Sequence, residues 1–196
     1  MKKTAAVLVA LGIAIVSNAA ESGKPAPEFT AKDISGNTVK LSDYKGKIVV
    51  LESYNSDCPY DANHYTTGAM QALQKEATSK GVVWLLVNST SSRNPNHLSE
   101  EQAKKEIADR KIAATAWIDD NSGDLGHLYD MRTTPHMFVI DVKGALAYQG
   151  AIDNEATPDH DPRKAKNYVR QALDELAAGK TVSVTETKSY GCAVKY

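Results

Sequence analysis

The chain has 196 residues, 42% of them hydrophobic, which suits a single globular unit with a full core. Its 24 acidic residues nearly balance 23 basic ones, for a formal charge of −1, and the lysines are scattered among the acids. That balance gives no electrostatic reason to expect nucleic acid or an anionic membrane as a partner.

The first nineteen residues have the layout of a signal peptide. Lys2 and Lys3 open it, Ala5 to Val16 form an apolar run, and Ser17-Asn18-Ala19 puts small residues where a signal peptidase cuts. The run is shorter than the roughly 20 residues needed to cross a bilayer, so no membrane span is expected in the mature protein. No cysteine follows it, which argues against a lipoprotein. The expected product begins near Ala20 or Glu21, carries a formal charge of −3 once Lys2 and Lys3 are gone, and is periplasmic or secreted in a bacterium. The expected layout is 1–19 signal peptide, 20–180 folded domain and 181–196 C-terminal tail. Both cysteines, Cys58 and Cys192, would then reach a compartment where disulfides persist.

Segments 28–33 and 38–41 flank Ile34-Ser35-Gly36-Asn37, a tight-turn signal that predicts a small hairpin. Ile48 to Leu51 is a continuous apolar run of the kind found in strands buried on both faces. A helix is expected from Pro59 to about Lys80, with Tyr65, Ala69, Leu73 and Ala77 at helical spacing and Gly81 ending it. Val82 to Val87 reads as a second buried strand, and Ser99 with Glu100 and Glu101 opens a helix over about 99–110. A strand at 114–118, a short helix at 124–130 and strands at Met137–Asp141 and Leu146–Gln149 follow. The last helix is expected to begin near Asp161-Pro162, with Asp161 as its cap, and to end at Gly179. Strands alternating with helices predict an α/β fold: a central mixed, largely parallel sheet covered by helices on both faces, with an N-terminal β-hairpin extension.

The stretch Leu51-Glu52-Ser53-Tyr54-Asn55-Ser56-Asp57-Cys58-Pro59 carries the chemistry. A buried strand runs through a short polar loop to a cysteine, and proline at a first helical position then starts a helix. Cys58 therefore falls at or near an N-cap, where unpaired backbone N–H groups and the helix dipole favour the thiolate. Its pKa is expected below the reference of about 8.5, with Asp57 and Asp61 opposing the shift.

These segments resemble a known superfamily. Leu41-Ser42-Asp43-Tyr44-Lys45-Gly46-Lys47 leading to Val49-Val50-Leu51 and Cys58-Pro59 is similar to the redoxin pattern. That superfamily joins the alkyl hydroperoxide reductase/thiol-specific antioxidant proteins with the TlpA/ResA-like thioredoxins. Thr134-Pro135 before Met137 to Asp141 resembles its cis-proline strand, and the closing Gly191-Cys192-Ala193-Val194-Lys195-Tyr196 resembles the tail of a peroxiredoxin-like subgroup. The resemblance implies a thioredoxin-like fold with Cys58 at the first-cysteine position and Thr134 and cis-Pro135 beside it.

Two departures limit what it carries over. A dithiol thioredoxin would have a second cysteine three residues on, where this chain has Asp61. A typical peroxiredoxin would have proline seven residues before the cysteine and Thr or Ser three before it, where this chain has Leu51 and Asn55. Asn55 or Ser56 is then the candidate for positioning a peroxide, and Arg132 reads as a surface residue. Cys192 is the candidate resolving cysteine for Cys58, since twelve or so extended residues after the last helix span up to about 40 Å. The competing reading is a free or intermolecular thiol on a mobile tail.

No cofactor is expected and no metal ligand set is assigned. His64 and His136 are the histidines that this fold would bring towards the thiol. His64 reads as a helix-surface residue, while His97, His127 and His160 have no partner at metal spacing. Two functions are thus expected to compete. One is a thiol-dependent oxidoreductase that takes a peroxide, or a protein or small-molecule disulfide, and is restored by a thiol reductant. The other is a non-enzymatic thioredoxin-fold module that binds copper or a partner thiol, as the related Sco copper chaperones do with two cysteines and a distal histidine. Nothing in the sequence indicates an oligomeric state.

Overall fold

Five strands form the central sheet of the protein, seen in a computed structural model that describes residues 20–196. The expected signal peptide lies outside the described residues. A hairpin of β1 (Thr30–Lys32) and β2 (Thr38–Lys40) precedes the sheet, with Asp33 accepting the backbone N–H groups of Ser35 and Asn37 to shape the turn. The sheet comprises β3 (Val49–Ser53), β4 (Val83–Asn88), β5 (Ala116–Asp119), β7 (His136–Ile140) and β8 (Leu146–Gly150), in the order β5-β4-β3-β7-β8. β3 runs parallel to β4, with Leu51 opposite Leu85, and antiparallel to β7, with Leu51 opposite Phe138. The short β6 (Thr133–Thr134) and β9 (Cys192–Ala193) pair with each other outside the sheet.

Alternation along the strands splits the core in two. Val50, Trp84, Leu86, Met137 and Val139 face one way, and Tyr65, Met70, Leu73, Ala103, Val169 and Leu173 from the helices pack on them. Val49, Leu51, Leu85, Val87, Phe138 and Ile140 face the other way, towards Phe29, Val39 and Leu125. The second face is covered by the hairpin and one short helix, α4 (Asp124–Leu128), rather than by long helices. Burying a side chain of this size contributes about 1.5–3 kcal/mol, so both layers count heavily towards holding β3 in place. Among the described residues, no helix is long and apolar enough to cross a membrane.

The structure corrects three sequence expectations. The helix expected from Pro59 to Lys80 is two helices, α1 (Pro59–Thr66) and α2 (Ala69–Ser79). Thr66 and Thr67 donate their hydroxyls back to carbonyls of the last turn, and Gly68 then takes a left-handed conformation (φ +78°) that turns the chain. β3 runs on through Glu52 and Ser53, which are fully buried, so the loop before Cys58 starts at Tyr54. α3 (Glu100–Arg110) keeps the expected Ser99 cap, closed reciprocally by Gln102. The last helix, α5 (Tyr168–Ala177), begins seven residues after Asp161 and is capped by Asn167, whose side chain accepts from Arg170 N–H. The intervening segment is held against residues 152–154 instead: Asp153 bridges Asn167, and Tyr168 N–H donates to the Ile152 carbonyl.

The tail does not project from the domain. Glu186 bridges Gln149, the Thr187 hydroxyl accepts Ala151 N–H, and the Tyr196 hydroxyl donates to the Met131 carbonyl while its ring stacks on His127.

Candidate active site

Cys58 is the N-cap of α1, with extended backbone (φ −79°, ψ 119°), Pro59 at the first helical position and only 1% of its surface exposed. The loop that delivers it is tied at every step. Asn55 Oδ1 accepts Asp57 N–H at 2.8 Å, Asn55 Nδ2 donates to Thr90 Oγ1, and the Asn55 carbonyl accepts Cys58 N–H. Arg110 donates to the Ser56 carbonyl from α3. The Asn55 side chain is therefore spent on shaping the loop.

The Thr134-Pro135 peptide is cis, and the Thr134 carbonyl accepts the Cys58 thiol at 2.8 Å. Thr134 is also the residue opposite Cys192 in the antiparallel pair β6–β9. The two sulfur-bearing residues thus meet at one peptide unit, 134 residues apart in sequence, and both are free thiols. Close approach here requires glycine at 191: a Cβ on Gly191 would lie 2.1 Å from the Thr134 carbonyl oxygen.

Burial pushes the Cys58 thiol up, but the Thr134 hydroxyl, the Asp61 amide at the start of α1 and the Cys192 thiol and amide outweigh it. The net shift is downward, as the N-cap position implies. The Thr134 carbonyl contact acts the other way, since it can accept a proton and cannot stabilise a thiolate. Cys192 is pushed up to about 12, by burial first and then by its hydrogen bond to Cys58 and the charge there. Of the pair, Cys58 ionises and Cys192 keeps its proton.

Asp61 occupies the position where a second active-site cysteine would stand. It is fully buried; Oδ2 accepts Asn55 N–H at 2.9 Å, and Oδ1 has no partner. Burial and the adjacent Cys58 charge raise its pKa well above the usual carboxylate range, so the carboxyl and the thiol compete for one proton. Six residues before Cys58, Glu52 is buried beneath the site and accepts from Tyr65 Oη, Gln74 Nε2 and Trp84 Nε1 at 2.6–2.9 Å. Burial raises it to about 7 against the opposing effect of those three bonds. Sequence reasoning passed over Glu52, although a charged residue ending an apolar strand was a visible signal.

The histidines differ from expectation. His64 is not on the helix surface: it is 1% exposed and sits beside Asp153, Tyr190 and His160. Burial depresses its pKa to about 4. His160, which has no partner at metal spacing in the sequence, faces the Asp153 carboxylate at 3.0 Å. His136 lies on the Phe138 side of β7, where its Nδ1 accepts Arg132 N–H, and burial lowers it to about 4. Arg132 is exposed and paired with Asp130.

The AhpC/TSA family model matches residues 22–149. The chain belongs to the AhpC/TSA family. It is a thiol-based oxidoreductase of the redoxin type, with the activity class left open. It is 31% identical over 126 residues to the thioredoxin-like protein YneN of Bacillus subtilis, covering 64% of this chain and 69% of that one. It is 33% identical over 88 residues to a probable phospholipid hydroperoxide glutathione peroxidase of Nicotiana tabacum, covering 43% of this chain but only 51% of that protein. A hypothetical protein from Sinorhizobium meliloti superposes with a TM-score of 0.78 at 21% identity, over 91% of this chain and 96% of its own. A putative thiol:disulfide interchange protein DsbE from Chlorobium tepidum gives 0.56 at 23%, over 82% and 98%. At those identities the superpositions speak for the fold.

Proposed function

We propose that the chain is an exported two-cysteine peroxidase in which Cys58 is the nucleophile and Cys192 the resolving thiol. The supporting observation is the shared peptide: Thr134 accepts the Cys58 thiol and pairs in register with Cys192. The Cys58 thiolate attacks one peroxide oxygen, the O–O bond breaks, and the alcohol or water leaves with a proton. Cys58 is then a sulfenic acid. The Cys192 thiol attacks that sulfur, water departs, and a Cys58–Cys192 disulfide remains. An external dithiol returns both to thiols by exchange.

The same pair would also serve disulfide exchange, in which Cys58 forms a mixed disulfide and Cys192 displaces the bound thiol. With only 1% of its surface exposed, Cys58 favours a small oxidant over a protein disulfide. Asn55 and Pro135 act by holding the loop and the cis-proline turn, Thr134 by its carbonyl. Asp61 takes up or returns the proton exchanged at Cys58. Non-reducing peptide mapping after one equivalent of hydrogen peroxide tests the reading. The 58–192 linkage should appear at once and disappear with dithiothreitol, and its absence would refute Cys192 as resolver. Insulin-disulfide reduction faster than peroxide consumption would instead favour exchange.

A further inference from the structure

We propose that His64, Asp153 and His160 form a binding site for one divalent first-row metal ion of the Zn2+ type, separate from the thiol pair. Three distant segments build it: α1, the turn after β8, and the loop before α5. The ligand atoms all lie within 4.8 Å of one another, and the two imidazoles converge on a single carboxylate oxygen, Asp153 Oδ2. His160 Nε2 is 3.0 Å and His64 Nε2 3.9 Å from that oxygen. Ligands at 2.0–2.2 Å around a tetrahedral ion stand about 3.3–3.5 Å apart, so the observed spacings bracket what an ion needs.

The hydrogen bonds around the cluster leave His160 Nε2 and Asp153 Oδ2 facing each other. His160 Nδ1 meets the Thr157 carbonyl, an acceptor only, so the ring proton belongs on Nδ1 and the Nε2 lone pair faces Asp153. Two acceptors then confront each other at 3.0 Å, an arrangement that calls for a proton or a cation between them. The other carboxylate oxygen, Oδ1, is already held by Tyr190 Oη at 2.6 Å and Glu155 N–H at 3.0 Å, an outer layer that orients Oδ2. His64 is 1% exposed, and its Nε2 lies 3.2 Å from the Tyr190 hydroxyl, a contact that an ion at Nε2 would replace. Asn63 Nδ2 donates to the His160 carbonyl at 2.9 Å and fixes that loop on α1. His160 is the partly exposed member, so the ion has a way in from solvent. Two imidazoles and a carboxylate suit zinc, copper or nickel rather than calcium or magnesium, and a water would complete the shell.

Zn2+ titration calorimetry on the full chain with Cys58→Ser and Cys192→Ser, which removes competing thiolates, should give one ion per chain. Co2+ in its place should produce visible d–d absorption without a sulfur charge-transfer band. His160→Gln lies in a partly exposed loop and is expected to fold; it should weaken Zn2+ at least tenfold, as should Asp153→Asn. Circular dichroism checks that each variant is folded, and His160→Gln alone decides the matter if Asp153→Asn is not. No binding by the starting protein, or binding unchanged in folded His160→Gln, overturns the site. Peroxide-driven 58–192 linkage in His160→Gln with both cysteines restored reports on the thiol reading independently.

Discussion

The two halves of the thiol pair reach the same peptide by different routes. Cys58 is placed by its neighbours: a buried strand ends at Ser53, Asn55 closes the loop on Asp57, and Pro59 starts the helix. Cys192 sits in a tail whose own hydrogen bonds are sparse, and its position comes from contacts with residues far away, at Gln149, Ala151 and Thr134. A reactive thiol is thus encoded locally, whereas its partner is encoded by docking. Changes in the Cys58 loop should alter the attack on the oxidant, and changes in the tail should alter the later, resolving step.

The largest expected effect is Cys58→Ser, which should drop peroxide consumption to the uncatalysed background in a stopped-flow or colorimetric assay. Cys192→Ser comes next and should split the cycle. The first equivalent of peroxide is consumed at the normal rate, steady turnover fails, and mass spectrometry finds Cys58 as sulfinic acid under excess peroxide. Normal turnover in this variant would collapse the distinction between the two regions. Gly191→Val should resemble it in milder form. With the Thr134 carbonyl 2.1 Å from the new Cβ, β9 has to lift away, and disulfide formation after a peroxide pulse should slow at least tenfold while Cys58 alkylation remains.

Glu52→Gln probes the strand below Cys58. Its pKa is raised from 4.5 to about 7 on folding, so the native state binds more protons than the unfolded state between those values. The stability this supplies is present below about pH 4.5 and lost as pH rises through 7, amounting to about 3 kcal/mol at 1.36 kcal/mol per unit. Denaturant melts of the wild type and Glu52→Gln across that window should converge or separate with this slope; parallel curves would mean the carboxyl is not perturbed. The smallest effect is expected from Asp61→Asn. Cys58 alkylation against pH should change from two coupled steps to one, with a lower midpoint, because the competing negative charge is gone.

Legibility in the sequence divides the same way. The apolar runs of β3 and β4, the Cys58-Pro59 helix start and the Thr134-Pro135 turn are local signals, and each falls where the residues indicated. The break at Gly68 was hidden because Tyr65, Leu73 and Ala77 keep helical spacing across it, and all three are buried. Asp161-Pro162 is a good helix start by composition, yet Asn154 and Ile152 hold the segment before α5 in place and move the start to Asn167. The cluster of His64, Asp153 and His160 was out of reach for a different reason. Its members lie up to 96 residues apart, so no local spacing announces them, and a buried histidine on α1 looks like a surface one until the turn after β8, the loop before α5 and the tail are folded against it.

The seat of β9 makes the last stretch of the chain a ligand of the rest of it. The tail after α5 binds at three places and contributes one thiol, with the short linker 178–183 keeping it at a high effective concentration, on the millimolar scale typical of short tethers. A peptide of residues 184–196 added to protein lacking that segment would then be a substrate for Cys58 sulfenic acid in its own right. Its saturation behaviour would measure the docking affinity directly, apart from any chemistry. On the proposed cycle, the protein carries its own first reductant, used once per turnover and never released.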